Sequence, residues 1–139
     1  MTLVFDIGKT NKKVFLFDDL FNIVYEETQR FAEIKDEDGD PCDDVHALSQ
    51  WIIATLDKLL SNKDYQVTAV NFSSFGASLV HLDESGKPFL PLYSYLKPLS
   101  PSIRKRFFDD YGGEEKISRL FGFRTNGKSV ILGVRKVID

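Results

Sequence analysis

The residues best equipped for chemistry sit close to the start of the chain, in Asp6-Ile7-Gly8-Lys9-Thr10-Asn11 and the nearby Lys13. Gly8-Lys9-Thr10 invites comparison with the phosphate loop G-x-x-x-x-G-K-[ST]. The comparison fails twice: Leu3 stands where the first glycine is needed, and a strand-like run follows where a helix is required. What remains is strand, turn, strand. A glycine in such a turn lets the backbone approach a ligand, and successive N–H groups there form an anion-binding concavity. Thr10 and Asn11 add side-chain donors, and Lys13 supplies charge to balance a phosphate. Asp6 ends an apolar strand, where a carboxylate is costly unless something pairs with it. A magnesium ion, directly or through its waters, is a suitable partner. The plain alternative is an ordinary hairpin with a capping Asp, and these residues alone do not choose between the two.

Other groups with chemical potential read as structural. Glu33 to Asp44 is a loop crowded with acids, but it lacks the D-x-D-x-D-G-x5-E spacing of a calcium loop. A solvated loop leading into a helix cap accounts for it better than a metal site. Cys42 is the single cysteine, so an internal disulfide is excluded and a reducing compartment fits. His81 reads as a packed or solvent-facing strand residue. Arg104, Lys105 and Arg106 read as the wet side of a helix.

The elements that must position the turn follow from pattern. Thr2 to Ile7, Lys12 to Phe17 and Ile23 to Phe31 read as strands, and the short breaks between them favour antiparallel pairing. Asp43 or Asp44 caps a helix whose apolar stripe is Val45, Leu48, Ile52, Leu56, Leu59 and Leu60. Tyr65 to Ser73 is the next strand, so strand, helix and strand make a parallel crossover. Gly76 to Leu82 and Phe89 to Tyr95 read as two strands around the turn Asp83 to Pro88. Ser100 to Tyr111 reads as a helix ended by Gly112-Gly113, with a short helix from Glu114 to Leu120 and a strand at Val130 to Val134.

Bulk properties bound the rest. The chain has 139 residues, 42% hydrophobic and 28% charged, with twelve Phe, five Tyr and one Trp. That is enough for one domain with a real core. The net charge of -3 gives no reason to expect nucleic acid as a partner, and no stretch approaches a membrane-spanning length. A cytoplasmic protein is the expectation.

Val4-Phe5-Asp6-Ile7-Gly8-Lys9-Thr10-Asn11-Lys12-Lys13-Val14 resembles the first phosphate motif of the FGGY carbohydrate kinases, members of the actin, hexokinase and Hsp70-like ATPase superfamily. Val70 to Asp83, followed by Gly86-Lys87-Pro88 and Pro91-Leu92-Tyr93, resembles that family's strand, sugar-pocket turn and hairpin. The resemblance runs from Leu3 to Gly113. It implies an α/β fold, a ribonuclease H-like mixed sheet with flanking helices. It implies residues 1–120 as a partial N-terminal kinase domain and 121–139 as an atypical tail, for which an interrupted or frame-shifted reading is the working explanation. ATP and Mg2+ are the implied cofactors and a sugar the implied substrate, with a homodimer left open. Asp6 then sits near the magnesium, and Gly8, Thr10, Asn11 and Lys13 near the transferring phosphate. Phe75, Gly76, Ala77, Tyr95 and Lys97 fall on the sugar side.

Two departures bear on the substrate. Phe75 stands where xylulose-type members often carry histidine, and it cannot hydrogen-bond a hydroxyl. Lys97 stands where they carry an acid. The family relation implies a xylulose-, rhamnulose- or fuculose-like class without selecting within it. The family's general-base aspartate falls beyond residue 139, so no catalytic residue is assigned, and the chain alone is expected to be inactive. Two further readings stand beside a kinase domain. One is a non-catalytic sugar- or partner-binding remnant of the fold. The other is an actin-like assembly protein, against which the hairpin from Gly76 to Tyr93 argues.

Overall fold

Alternation sets the first layer. In β1 (Thr2–Ile7), Leu3, Phe5 and Ile7 are buried on one face and Asp6 is exposed on the other. In β2 (Lys12–Phe17), Lys12, Val14 and Leu16 are the buried set. β3 (Ile23–Gln29) pairs with β2, and β2 with β1, both antiparallel. The computed structural model describes residues 1–76 and 78–121, which divide into two units. The first unit comprises Met1–Glu33 and Asp44–Gly76, and the second comprises Ile34–Asp43 and the residues after Gly76.

In the first unit, the helix α1 (Val45–Leu60) leads to the strand β6 (Ala69–Ser74), which pairs parallel to β1. The sheet order is β3-β2-β1-β6, so β3 and β6 run the same way at opposite edges, joined through α1. This is the expected crossover, with the two most apolar strands in the middle. Asp44 rather than Asp43 caps α1: its Oδ1 accepts from the backbone N–H of His46 and of Ala47, each at 3.0 Å. The core gathers Leu3, Phe5, Ile7, Val14, Leu16 and Leu59, with Leu48, Trp51, Ile52 and Leu56 packed against it. The Phe5 ring stacks on Phe72 at 5.1 Å and meets Trp51 edge-on at 5.6 Å. Leu60 does not join the helix stripe. It is exposed, and Thr55 is buried instead.

In the second unit, the short strands β4 (Ile34–Lys35), β5 (Pro41–Asp43) and β7 (Leu92–Tyr93) form a sheet in the order β4-β5-β7. The acidic segment is therefore a hairpin rather than a loop. Its turn is built by Asp36, whose Oδ1 accepts from the N–H of Asp38 and of Asp40 at 3.0 Å each. The strands expected at Gly76–Leu82 and Phe89–Tyr95 reduce to a single bridge between Leu82 and Pro88 and to β7. Leu79, Val80, Leu82 and Phe89 are exposed, so no buried face fixes a longer register. The intervening turn is strongly specified. Asp83 Oδ1 accepts from the N–H of Ser85 and of Lys87, both at 2.9 Å, and Gly86 takes the left-handed conformation at φ 79°. The helices α2 (Pro101–Asp110) and α3 (Glu114–Phe121) follow. Phe107 and Phe108 are buried among Leu99, Ile103 and Ile117. The strand expected at Val130–Val134, and the tail from Gly122 onward, lie outside the described residues.

Candidate functional site

Register turns the first unit's sheet into a platform. Asp6 is directly opposite Lys13 on β2 and directly beside Ser73 on β6, and Lys13 is opposite Thr28 on β3. Directly paired residues share a face. Thr28, Lys13, Asp6 and Ser73 therefore form one polar row across all four strands, on the face away from the Leu3–Phe5–Ile7 core. The sequence reading treated Asp6 as a carboxylate that burial makes costly. Here Asp6 is exposed, because strand parity puts it opposite to Phe5 and Ile7. It pays no burial penalty and is open to a ligand.

The turn between β1 and β2 lies immediately beyond this row. At Gly8, a Cβ would come within 2.7 Å of the Asn11 carbonyl oxygen, so the turn closes only on glycine. Asn11 is held from outside: its Oδ1 accepts from Arg30 Nε at 2.6 Å. Thr10 is exposed at the tip. Lys9 reaches Glu33 at 3.0 Å, and Lys13 reaches Glu26 at 3.4 Å. The turn is thus pinned on both flanks.

Lys12 was not singled out from the sequence, yet it organises the turn from beneath. It is buried, and its Nζ donates to the Lys9 carbonyl at 2.9 Å. The same ammonium lies 6.0 Å from the centroid of the Phe75 ring, and the Phe75 N–H donates to the Ile7 carbonyl at 3.0 Å. The signal was available: Lys12 shares parity with Val14 and Leu16, so it had to face the core. Phe75 and Gly76 are thereby brought to the end of β1, next to the Gly8 turn. Ala77 lies outside the described residues.

Tyr95 and Lys97 belong to the second unit. Tyr95 is half-buried, and Lys97 is buried with its side chain 2% exposed. Its ammonium bonds the Asp36 carboxylate, and it lies 2.7 Å from Asp38 and 3.5 Å from Asp40. These three carboxylates converge as a metal cluster does, and the cation among them is Lys97. Burial pulls the Lys97 ammonium downward, but the hydrogen bonds it donates to Asp36 and then Asp38 outweigh it and hold it above the ordinary lysine range. Asp36 and Asp38 each accept from the ammonium, and Asp40 adds a third negative charge beside it. Neither the solvated-loop nor the metal reading of this segment describes that arrangement.

Cys42 is fully buried, and burial first, then the nearby Asp36 carboxylate, push its thiol up. It is not an activated nucleophile. His81 is half-buried and packs edge-on to Phe89 at 6.4 Å, as a packed residue does. Arg104, Lys105 and Arg106 are each paired, with Glu114, Asp109 and Asp110 respectively, so they present no free basic patch.

Comparison with known proteins agrees with the motif reading. The model of the FGGY family of carbohydrate kinases, N-terminal domain, matches residues 1–119. Similar solved structures include a carbohydrate kinase from Novosphingobium aromaticivorans, at 23% identity and a TM-score of 0.65 over 76% of this chain and 22% of that one. Another is a ligand-bound xylulose kinase from Lactobacillus acidophilus, at 18% identity and a TM-score of 0.63 over 86% of this chain and 24% of that one. A gluconate kinase from the same organism matches at 19% identity and a TM-score of 0.63, over 85% of this chain and 24% of that one. These likenesses fix the fold as the α/β mixed-sheet fold of such kinases. The chain spans less than a quarter of each of these proteins. No curated protein matches it in sequence.

Proposed function

Because this chain belongs to the FGGY family of carbohydrate kinases, as its N-terminal domain, we propose that it is the phosphate-gripping part of an ATP-dependent sugar kinase. The reaction is transfer of the ATP γ-phosphoryl group to a hydroxyl of a xylulose-, rhamnulose- or fuculose-like sugar. The observation that carries this reading is the polar row of Asp6 and Lys13 beside the glycine-closed turn. Phosphoryl transfer asks a protein mainly for positioning and charge balance. The turn's N–H groups and Thr10 bind phosphate oxygens, and Lys13 balances their charge. Phe75 and Gly76 border the sugar.

The residues present fit Mg2+. This ion takes oxygen donors, keeps several waters, and is usually held by one or two carboxylates together with substrate phosphates. Asp6 offers an exposed carboxylate, with the Ser73 hydroxyl next to it in the row. When bound, the ion supplies charge neutralisation at the phosphates. Lys97 enters the proposal as a support and not as a sugar contact, since its donors are met by aspartates. No residue of this chain is assigned as the general base. The setting is the cytoplasm, where a lone thiol stays reduced.

Titration calorimetry of the 139-residue chain tests the proposal. Mg·ATP is expected to give a weak heat that Asp6→Ala abolishes, with no sugar-dependent ADP release. Heat that persists in Asp6→Ala overturns the phosphate assignment. Phe75 favours a second reading, because a ring without hydrogen-bonding groups borders the sugar side: a non-catalytic remnant of the fold. Absence of heat with Mg·ATP and with each sugar selects that reading.

A further inference from the structure

The second unit contains a cross-link that the kinase reading treats only as a support. Among the described residues, the β4–β5 hairpin meets the rest of its sheet through β5 and β7, a pairing of Cys42 with Tyr93 and of Asp43 with Leu92. A two-residue strand pairing is too short to hold by its own ladder. Side chains reinforce it. Tyr93 Oη donates to Glu37 Oε1 at 2.7 Å. The Lys97 ammonium lies 5.3 Å from the Tyr93 ring centroid and reaches Asp36, Asp38 and Asp40 in the hairpin turn. Asp36 serves both sides of this junction: Oδ1 shapes the turn through the Asp38 and Asp40 N–H groups, and Oδ2 bonds Lys97. Cys42, which pairs with Tyr93 across this junction, is fully buried.

We propose that Lys97 is the pin of a releasable strap: its ammonium holds the 34–43 hairpin onto β7, and removing that charge frees the hairpin and uncovers Cys42. The physical reason is asymmetry. A buried ion pair that is fully hydrogen-bonded roughly breaks even against water, but one left with a missing partner strands a buried charge. Without Lys97, Asp36 is such a charge, and the cheapest relief is for the turn to move into water. The hairpin's own turn bonds to Asp36 Oδ1 survive this movement, so it leaves as a unit.

The chain carries one reporter for each side of the question. Cys42 is its only thiol and lies in the strap, and Trp51 is its only tryptophan and packs in the first unit's core. The test is the rate at which an aromatic disulfide reagent labels Cys42 in the native chain, in Lys97→Met, in Lys97→Arg and in Lys105→Met. Lys105 pairs with Asp109 on the exposed face of α2 and serves as the control. Lys97→Met is expected to raise the labelling rate at least tenfold with the Trp51 emission unchanged. Lys97→Arg restores most of the protection, and Lys105→Met labels as the native chain does. Equal rates in the native chain and Lys97→Met, or equal acceleration in Lys105→Met, overturn the proposal. If Lys97→Met loses helical circular dichroism relative to the native chain and so fails to fold, Asp38→Asn and Asp40→Asn decide. Asp38, at 2.7 Å, is expected to speed labelling more than Asp40, at 3.5 Å. No acceleration in either overturns the proposal.

Discussion

Asp6 and Lys13 face each other across β1 and β2, on the side of the sheet opposite to the hydrophobic core. Their charges therefore serve neither the packing of Phe5 nor that of Val14. A substitution here separates function from stability. Asp6→Asn is expected to change unfolding free energy by no more than about 0.5 kcal/mol, as exposed sites do. It is expected to abolish any Mg·ATP heat. Urea denaturation read by Trp51, run beside calorimetry, checks both halves.

Gly8 makes the opposite prediction. Its missing side chain leaves room for the Asn11 carbonyl oxygen, which a Cβ would meet at 2.7 Å. The obstacle is backbone, so it yields only if the turn opens. Gly8→Ala is expected to cost about 1–3 kcal/mol of stability, in line with forced backbone strain, and to weaken Mg·ATP binding along with it. A chain as stable as the original by urea denaturation would show that the turn tolerates a side chain.

Phe21 sits in the left-handed region at φ 62°, at the tip of the β2–β3 hairpin, and is 85% exposed. The turn forces this: Asp18 Oδ1 accepts from the N–H of Leu20 at 2.9 Å and of Asn22 at 2.8 Å. A non-glycine residue pays about 1–2 kcal/mol for that conformation, and the exposed ring returns little burial. Phe21→Gly is expected to stabilise the chain by about 1 kcal/mol, seen as a rise in Tm.

Two groups give stability a pH dependence, with opposite signs. Glu27 accepts from the Tyr25 hydroxyl and from Lys58 Nζ, the latter at 3.0 Å. These bonds, Tyr25 first, hold its carboxyl below the usual range. A lowered carboxylate stabilises the fold above its unfolded pKa, about 4.3. That contribution fades as pH falls through the folded value. Lys97 is raised, so its contribution is full below about pH 10.4 and is lost as pH climbs through the folded value. Denaturation midpoints measured from pH 2 to 6 are expected to fall less steeply in Glu27→Gln than in the native chain. Midpoints from pH 9 to 12 are expected to fall less steeply in Lys97→Met.

Strand parity and turn chemistry were readable because they are local. The alternation of Leu3, Phe5 and Ile7 with Asp6 fixes a face, Gly8 fixes a turn, and an aspartate at 43 or 44 ahead of an apolar stripe fixes a helix start, with Asp44 chosen by the structure. Those features, with the motif at Asp6 to Asn11, also carried the family resemblance. The strands from Gly76 to Tyr95 were readable only at Leu92–Tyr93: Leu79, Val80, Leu82 and Phe89 are exposed, so no buried face extends them.

By itself the sequence determined the β1-turn-β2 hairpin, the α1 crossover and the family to which they belong, because each rests on residues close together in the chain. Only the tertiary structure decided what the charges do. It lined up Thr28, Lys13, Asp6 and Ser73 in one row, and it brought Lys97 to three aspartates some sixty residues away. Register sets the first, since a one-residue slip would turn Asp6 into the core. Desolvation sets the second: a buried ammonium must find carboxylates wherever the fold places them, and nothing in the spacing of Asp36, Asp38 and Asp40 names their partner.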